Sequence, residues 1–139
     1  MNDVCNFKNK INLLTDYLKE KISPVVIYLF GSAAGDSFNI ESDIDLAVLT
    51  DKSISPLEFY NISTELSVLV KQDIHLVDFW EVTDLLRIEI LKKGKVLFSR
   101  DESLRLENEM KALSSYIKLN EEREVVIKVK YGEDVWMSL

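Results

Sequence analysis

The stretch Val25–Leu49, VVIYLFGSAAGDSFNIESDIDLAVL, decides the architecture. Val25 to Phe30 is a short run of β-branched and aromatic residues, the pattern of a buried strand. Gly31-Ser32-Ala33-Ala34-Gly35-Asp36 follows at once, small and turn-prone, and a polar loop continues to Ser42. Asp43 to Leu49 carries a period-two pattern that predicts a second strand. Side chains two apart on a strand share a face, so Asp43 and Asp45 point the same way, about 6–7 Å apart along the backbone.

Two carboxylates held so close repel each other and are poorly explained by core packing. A hard divalent cation between them removes that cost, and Mg²⁺ takes oxygen ligands in sites completed by substrate phosphates. The Gly31-Ser32 turn offers backbone N–H groups with little side-chain bulk, and Ser32 adds a hydroxyl. Such a turn can hold the outer phosphates of a nucleoside triphosphate while Asp43 and Asp45 hold the metal. No GxxxxGK[ST] is present, so this is not a Walker A loop. Gly-Ser, ten residues, then Asp-x-Asp arises by chance in roughly two of a thousand chains of this length, which favours chemistry over coincidence. The plainer reading is a surface turn beside a strand whose aspartates cap neighbouring helices.

Outward from this stretch, apolar residues at Ile11, Leu13, Leu14, Tyr17, Leu18 and Ile22 predict a helix over Phe7–Ile22, broken by Ser23-Pro24. Ser55-Pro56-Leu57-Glu58 reads as a helix start, with Ser55 as N-cap, Pro56 at N1 and Glu58 at N3, and the helix runs to about Lys71. Asp73 to Phe79, DIHLVDF, predicts a third strand. A helix from about Glu81 to Lys93 is expected to end at Gly94, and Lys95–Ser99 adds a short strand. A long helix rich in Glu, Lys and Leu takes up about 101–129. The expected fold class is α/β (α+β), a small mixed sheet of three to four strands flanked by helices, in one domain over 1–139 with its core at about 24–100.

Composition narrows the function. The 139 residues are 47% hydrophobic and 29% charged, ordinary for a globular domain, with a net charge of −7. That charge argues against a direct nucleic-acid footprint, which needs surplus Lys and Arg. Cys5 stands alone, the N-terminus lacks a signal-peptide apolar region, and no apolar run suits a membrane span, so a cytoplasmic protein is expected.

FGSAAGDSFNIESDIDLAVL resembles the signature of minimal nucleotidyltransferases in the DNA polymerase β superfamily. More narrowly, the chain resembles the MNT (MntA-type) antitoxins of HEPN/MNT toxin–antitoxin modules. DIHLVDFWEVTDLLRIEILKKGKVLFSRD is similar to the strand, helix and strand that follow the signature there, so the likeness covers about Val25 to Asp101. The resemblance implies a nucleotidyltransferase fold and transfer of AMP from ATP, with Mg²⁺, to a tyrosine of a cognate HEPN toxin. Gly31, Ser32, Asp43 and Asp45 would bind ATP, and Asp43 and Asp45 the metal. Composition and spacing alone stop at metal-dependent nucleotidyl transfer. Two other readings stay open: an antitoxin that neutralises its HEPN partner by binding alone, and a small-molecule nucleotidyltransferase.

The family carries a third carboxylate on the third strand, and that place falls on His75 here. His75 could act as general base, since an imidazole titrates near about 6.5. Asp73, two residues earlier on the same strand face, could take over. Or the site could bind Mg²⁺–ATP with little or no turnover. Imidazole is a poor Mg²⁺ ligand, so His75 is not assigned to the metal; a half-buried strand histidine is the plainer alternative. Asp78 is expected to cap the next helix or orient a loop.

Tyr28, Phe30, Phe79 and Trp80 flank the proposed site and could stack on adenine, although strand aromatics more often belong to a core. Lys52 and Arg87 could reach phosphates, and Glu41 could tune the metal site; a solvated face is the alternative for each. Leu104, Leu106, Met110, Leu113, Ile117 and Leu119 give the last helix an apolar face for its own core, a partner or a second copy. Val135, Trp136 and Met137 in the tail would also suit a partner.

Overall fold

The computed structural model describes residues 3–34 and 43–131. The polar loop with Glu41 and the tail with Val135, Trp136 and Met137 lie outside the described residues, as does the side chain of Ser32. Among the described residues, four helices and four strands follow in the order α1 (Asp3–Ile22), β1 (Val26–Phe30), a 3₁₀ turn (Gly31–Ala34), β2 (Ile44–Leu49), α2 (Pro56–Val70), β3 (Ile74–Asp78), α3 (Asp84–Lys93), β4 (Lys95–Ser99) and α4 (Glu102–Tyr131).

The sheet runs β3-β2-β1-β4. β1 is antiparallel to both β2 and β4, and β2 is parallel to β3, so the sheet is mixed. The β2–β3 pairing needs a crossover, and α2 supplies it. Ser55 caps α2 through the Glu58 amide, with Pro56 in the first turn, as the sequence predicts.

Each face of the sheet is buried by a helix pair. Ile27, Leu29, Ile44, Leu46, Val48, Ile74 and Leu76 pack on α1 and α2 through Ile11, Leu14, Leu18, Ile22, Ile62, Leu66 and Val70. Leu13, expected in the α1 stripe, faces outward instead. The opposite face, with Val26, Tyr28, Ala47 and Leu49, packs on α3 and α4 through Ile90 and Ala112.

Two local expectations change. α3 begins at Asp84, not Glu81, because Asp78 Oδ1 accepts from the Trp80 amide and turns the chain there, while Thr83 caps the helix. Gly94 ends α3 with extended backbone, φ −76°, so left-handedness is not its reason. A Cβ at Gly94 would collide with the Ile90 carbonyl and crowd that of Leu29; close packing demands the glycine. In α4, Leu106, Met110, Leu113 and Ile117 face solvent. The inner side holds Ala112 and two polar ties: Tyr28 donates to Glu109 at 2.8 Å and Trp80 Nε1 to Asn108 at 3.0 Å.

The outer edge of β3 is closed by α2 as far as the Leu76 amide. Ser67 Oγ accepts from the Ile74 amide at 3.0 Å, and Ser63 Oγ donates to the Ile74 carbonyl at 2.8 Å and accepts from the Leu76 amide at 3.3 Å. These hydroxyls satisfy groups that would otherwise template another strand.

Candidate active site

The end of β1, the start of β2 and the start of β3 meet at one end of the sheet. Asp45 is the register partner of Phe30 on one side and of His75 on the other. Gly31, one residue past Phe30, has φ 72°, a left-handed conformation that costs other residues about 1–2 kcal/mol. A Cβ at Gly31 would also lie on Oδ2 of Asp45. Glycine is therefore required twice, by backbone shape and by the carboxylate resting against it.

Across the sheet, His75 Nδ1 lies 3.2 Å from Asp45 Oδ1, and its Nε2 lies 3.9 Å from Asp43 Oδ2. One imidazole ring reaches both carboxylates, so Asp43 and Asp45 project to the same side of β2. The His75 side chain is 65% exposed, whereas that of Asp45 is 24% exposed. Burial raises the pKa of Asp45 above the usual carboxylate value, and the negative charge of Asp43 adds to this. His75 opposes the rise through its charge and hydrogen bonding. The result is a partly buried carboxylate whose ionised form is disfavoured where it stands.

Among the described residues, no three His, Cys, Asp or Glu side chains form a ready ligand set for a metal. Among the described residues, Asp43 and Asp45 bring their carboxylates together at this end of the sheet, and an under-compensated carboxylate pair fits a hard cation whose other ligands are phosphate and water. Asp73 precedes β3 and is exposed. It lines a separate hollow with Asp43, Lys10, Lys71 and Gln72. His75, not Asp73, faces Asp45.

The remaining sequence candidates divide clearly. Tyr28 and Phe79 are buried and stacked, with centroids 5.3 Å apart, and Trp80 packs edge-on against Phe79. Arg87 is 8% exposed and donates to the carbonyls of Phe79, Trp80 and Val82 and to Asp84, so it clasps the turn before α3. Lys52 is exposed beyond the far end of β2. Phe30 alone of the four aromatics lines the open space beside Asp45.

That space is a groove of roughly 950 Å³ that starts at Phe30, Asp45 and His75 and runs along β3. Phe59 and Tyr60 of α2 form one wall, and Val82 and Leu86 the other. These residues escape a motif search. The one sequence signal is the Phe59-Tyr60 pair, with Tyr60 on a side of α2 that leaves it exposed.

A mixed four-stranded sheet flanked by helices, with a long C-terminal helix, fits the nucleotidyltransferase fold. Residues 12–103 match the family described as Polymerase beta, Nucleotidyltransferase, and the chain belongs to that family. It is similar to the protein adenylyltransferase MntA of Shewanella oneidensis, 28% identical over 117 residues, which are 84% of each chain. Among solved structures, it resembles a toxin–antitoxin with AMP-PNP at 29% identity and TM-score 0.73, covering 92% of this chain and 97% of that one. It also resembles a chain of the tri-AMPylated Shewanella oneidensis HEPN toxin in complex with MNT antitoxin, at 26% identity and TM-score 0.72, covering 87% and 95%. Among the described residues, no helix is long and apolar enough to cross a membrane.

Proposed function

We propose that the protein transfers AMP from ATP to a tyrosine hydroxyl of a HEPN-family toxin and thereby serves as its antitoxin. The observation that carries this reading is the placement of Asp45 between Gly31 and His75, with Asp43 on the same side. The similarity to an MntA adenylyltransferase and to an antitoxin in complex with an AMPylated toxin supports the choice of nucleotide and acceptor.

The bare backbone at Gly31 and the Ser32 residue beside it bind the triphosphate, and Asp43 and Asp45 hold Mg²⁺. When bound, the cation supplies positive charge to the phosphate oxygens as negative charge develops on them. The tyrosine oxygen attacks the α-phosphorus and forms a new P–O bond. The bond from that phosphorus to the bridging oxygen breaks, and pyrophosphate leaves with the electron pair. The phenolic proton passes to a base, a role this reading gives to His75 because its ring lies beside Asp45. In-line displacement needs entering and leaving oxygens on opposite sides of phosphorus. With the phosphates at Gly31, the acceptor comes from the His75 side.

Purified protein, labelled ATP, Mg²⁺ and the cognate HEPN protein test the proposal: label should enter the partner with wild type and not with Asp45→Ala. Equal labelling by both rejects it. The imidazole in place of a third carboxylate favours a second reading, neutralisation by binding alone. Under that reading an Asp43→Ala/Asp45→Ala protein neutralises the toxin as well as wild type does.

A further inference from the structure

The serine hydroxyls of α2 close the edge of β3 only as far as the Leu76 amide. In the parallel pairing with β2, the Phe79 amide turns inward to Val48, so alternate groups, including the Leu76 carbonyl and the Asp78 amide, face the open edge. Among the described residues neither has a hydrogen-bond partner. Both Leu76 and Asp78 line the groove that begins at His75. An unpaired strand edge flanked by apolar walls is a surface to which an extended peptide can add.

The groove's chemistry specifies its occupant. Pro56, Phe59, Val82 and Leu86 offer apolar contact, and Tyr60 is exposed on the rim. The acidic residues lining it are Asp45, Asp78 and Glu81, and among the described residues no Lys or Arg lines it. Away from His75 and the proposed metal ligand Asp45, a phosphate along this channel would meet only the carboxylates of Asp78 and Glu81. An apolar peptide carrying a positive charge would be complementary in both respects.

We propose that this groove receives the acceptor protein's own chain, an extended apolar segment with a basic residue near the hydroxyl-bearing one, laid along Leu76–Asp78. The segment delivers its hydroxyl to His75 and Asp45 at the groove's end. The proposal rests on the adenylyl-transfer reading above and specifies the substrate surface of that same site.

Tyr60 and Glu81 are exposed, so Tyr60→Ala and Glu81→Lys leave the core untouched. Both are assayed for transfer to the HEPN partner over a range of partner concentrations, and for affinity toward AMP-PNP by titration. Each should raise the KM for the partner by about tenfold and leave AMP-PNP affinity within twofold. Leu57→Ala, on the same helix outside the groove, should change neither. Unchanged partner KM in both variants overturns the proposal. So does a loss of AMP-PNP affinity, which would assign the groove to the nucleotide base. Wild type that binds AMP-PNP but labels no partner rejects the adenylyl-transfer reading itself, a result distinct from either.

Discussion

Asp45 and His75 stand side by side in register on parallel strands, with Oδ1 and Nδ1 3.2 Å apart. The ring thus occupies ground where the resemblance read from the sequence implies a third carboxylate. His75→Asp restores that carboxylate beside Asp45, and the initial rate of label transfer from ATP to the partner at saturating Mg²⁺ is expected to rise. A rate at or below wild type would show that the ring does not limit turnover.

The turn before the site is equally constrained. Gly31→Ala forces a Cβ into a left-handed backbone and onto the Asp45 carboxylate. Urea unfolding should show a loss of about 1–3 kcal/mol, with transfer abolished because Asp45 must move. Wild-type stability in this variant would mean that turn and strand are not in contact.

The raised pKa of Asp45 carries a stability consequence. A carboxyl whose folded pKa lies above its unfolded value stabilises the fold at low pH, and that contribution is lost as pH rises through the folded value. Ionised Asp45 is therefore a liability at neutral pH, caused first by burial and then by Asp43. Asp45→Asn should unfold at a higher temperature than wild type at pH 7, and the gap should close as pH falls toward the ordinary carboxyl value of 3.8. Thermal melts across that range check the sign; a variant less stable at pH 7 contradicts it.

Arg87 ties the turn that forms one wall of the groove. Its guanidinium donates to three carbonyls and to Asp84 while lying over the Trp80 ring, 5.0 Å from its centroid. Arg87→Met strips those carbonyls of their donor and should cost roughly 2–4 kcal/mol in urea unfolding. Arg87→Lys should recover little, since an ammonium cannot span a planar fork of acceptors. Full recovery by lysine would reduce the clasp to simple charge pairing.

Where signals were local, sequence and structure agree. The strand pair around the Gly-Ser turn follows from β-branched runs and period-two placement, and the start of α2 from Ser55, Pro56 and Glu58. Asp43 and Asp45 could be placed on one side because their spacing is two. The pairing of His75 with Asp45 could not be read directly, because a parallel register is set by how the α2 crossover packs. The α3 start was misjudged for a similar reason: Asp78 and Arg87 hold Glu81 and Val82 in a turn through tertiary hydrogen bonds. Periodicity gave α4 an apolar face without deciding between its own core and a partner; it turns outward because Tyr28 and Trp80 recruit Glu109 and Asn108 inward.

The serines of α2 bear on how this molecule behaves in a crowded solution. A four-stranded sheet with two margins invites stacking of one copy on the next, the first step toward insoluble fibres. By spending Ser63 and Ser67 on the flank of β3, the chain blocks such growth at the Ile74 end of that border and leaves bare only the short stretch from the Leu76 carbonyl to the Asp78 amide.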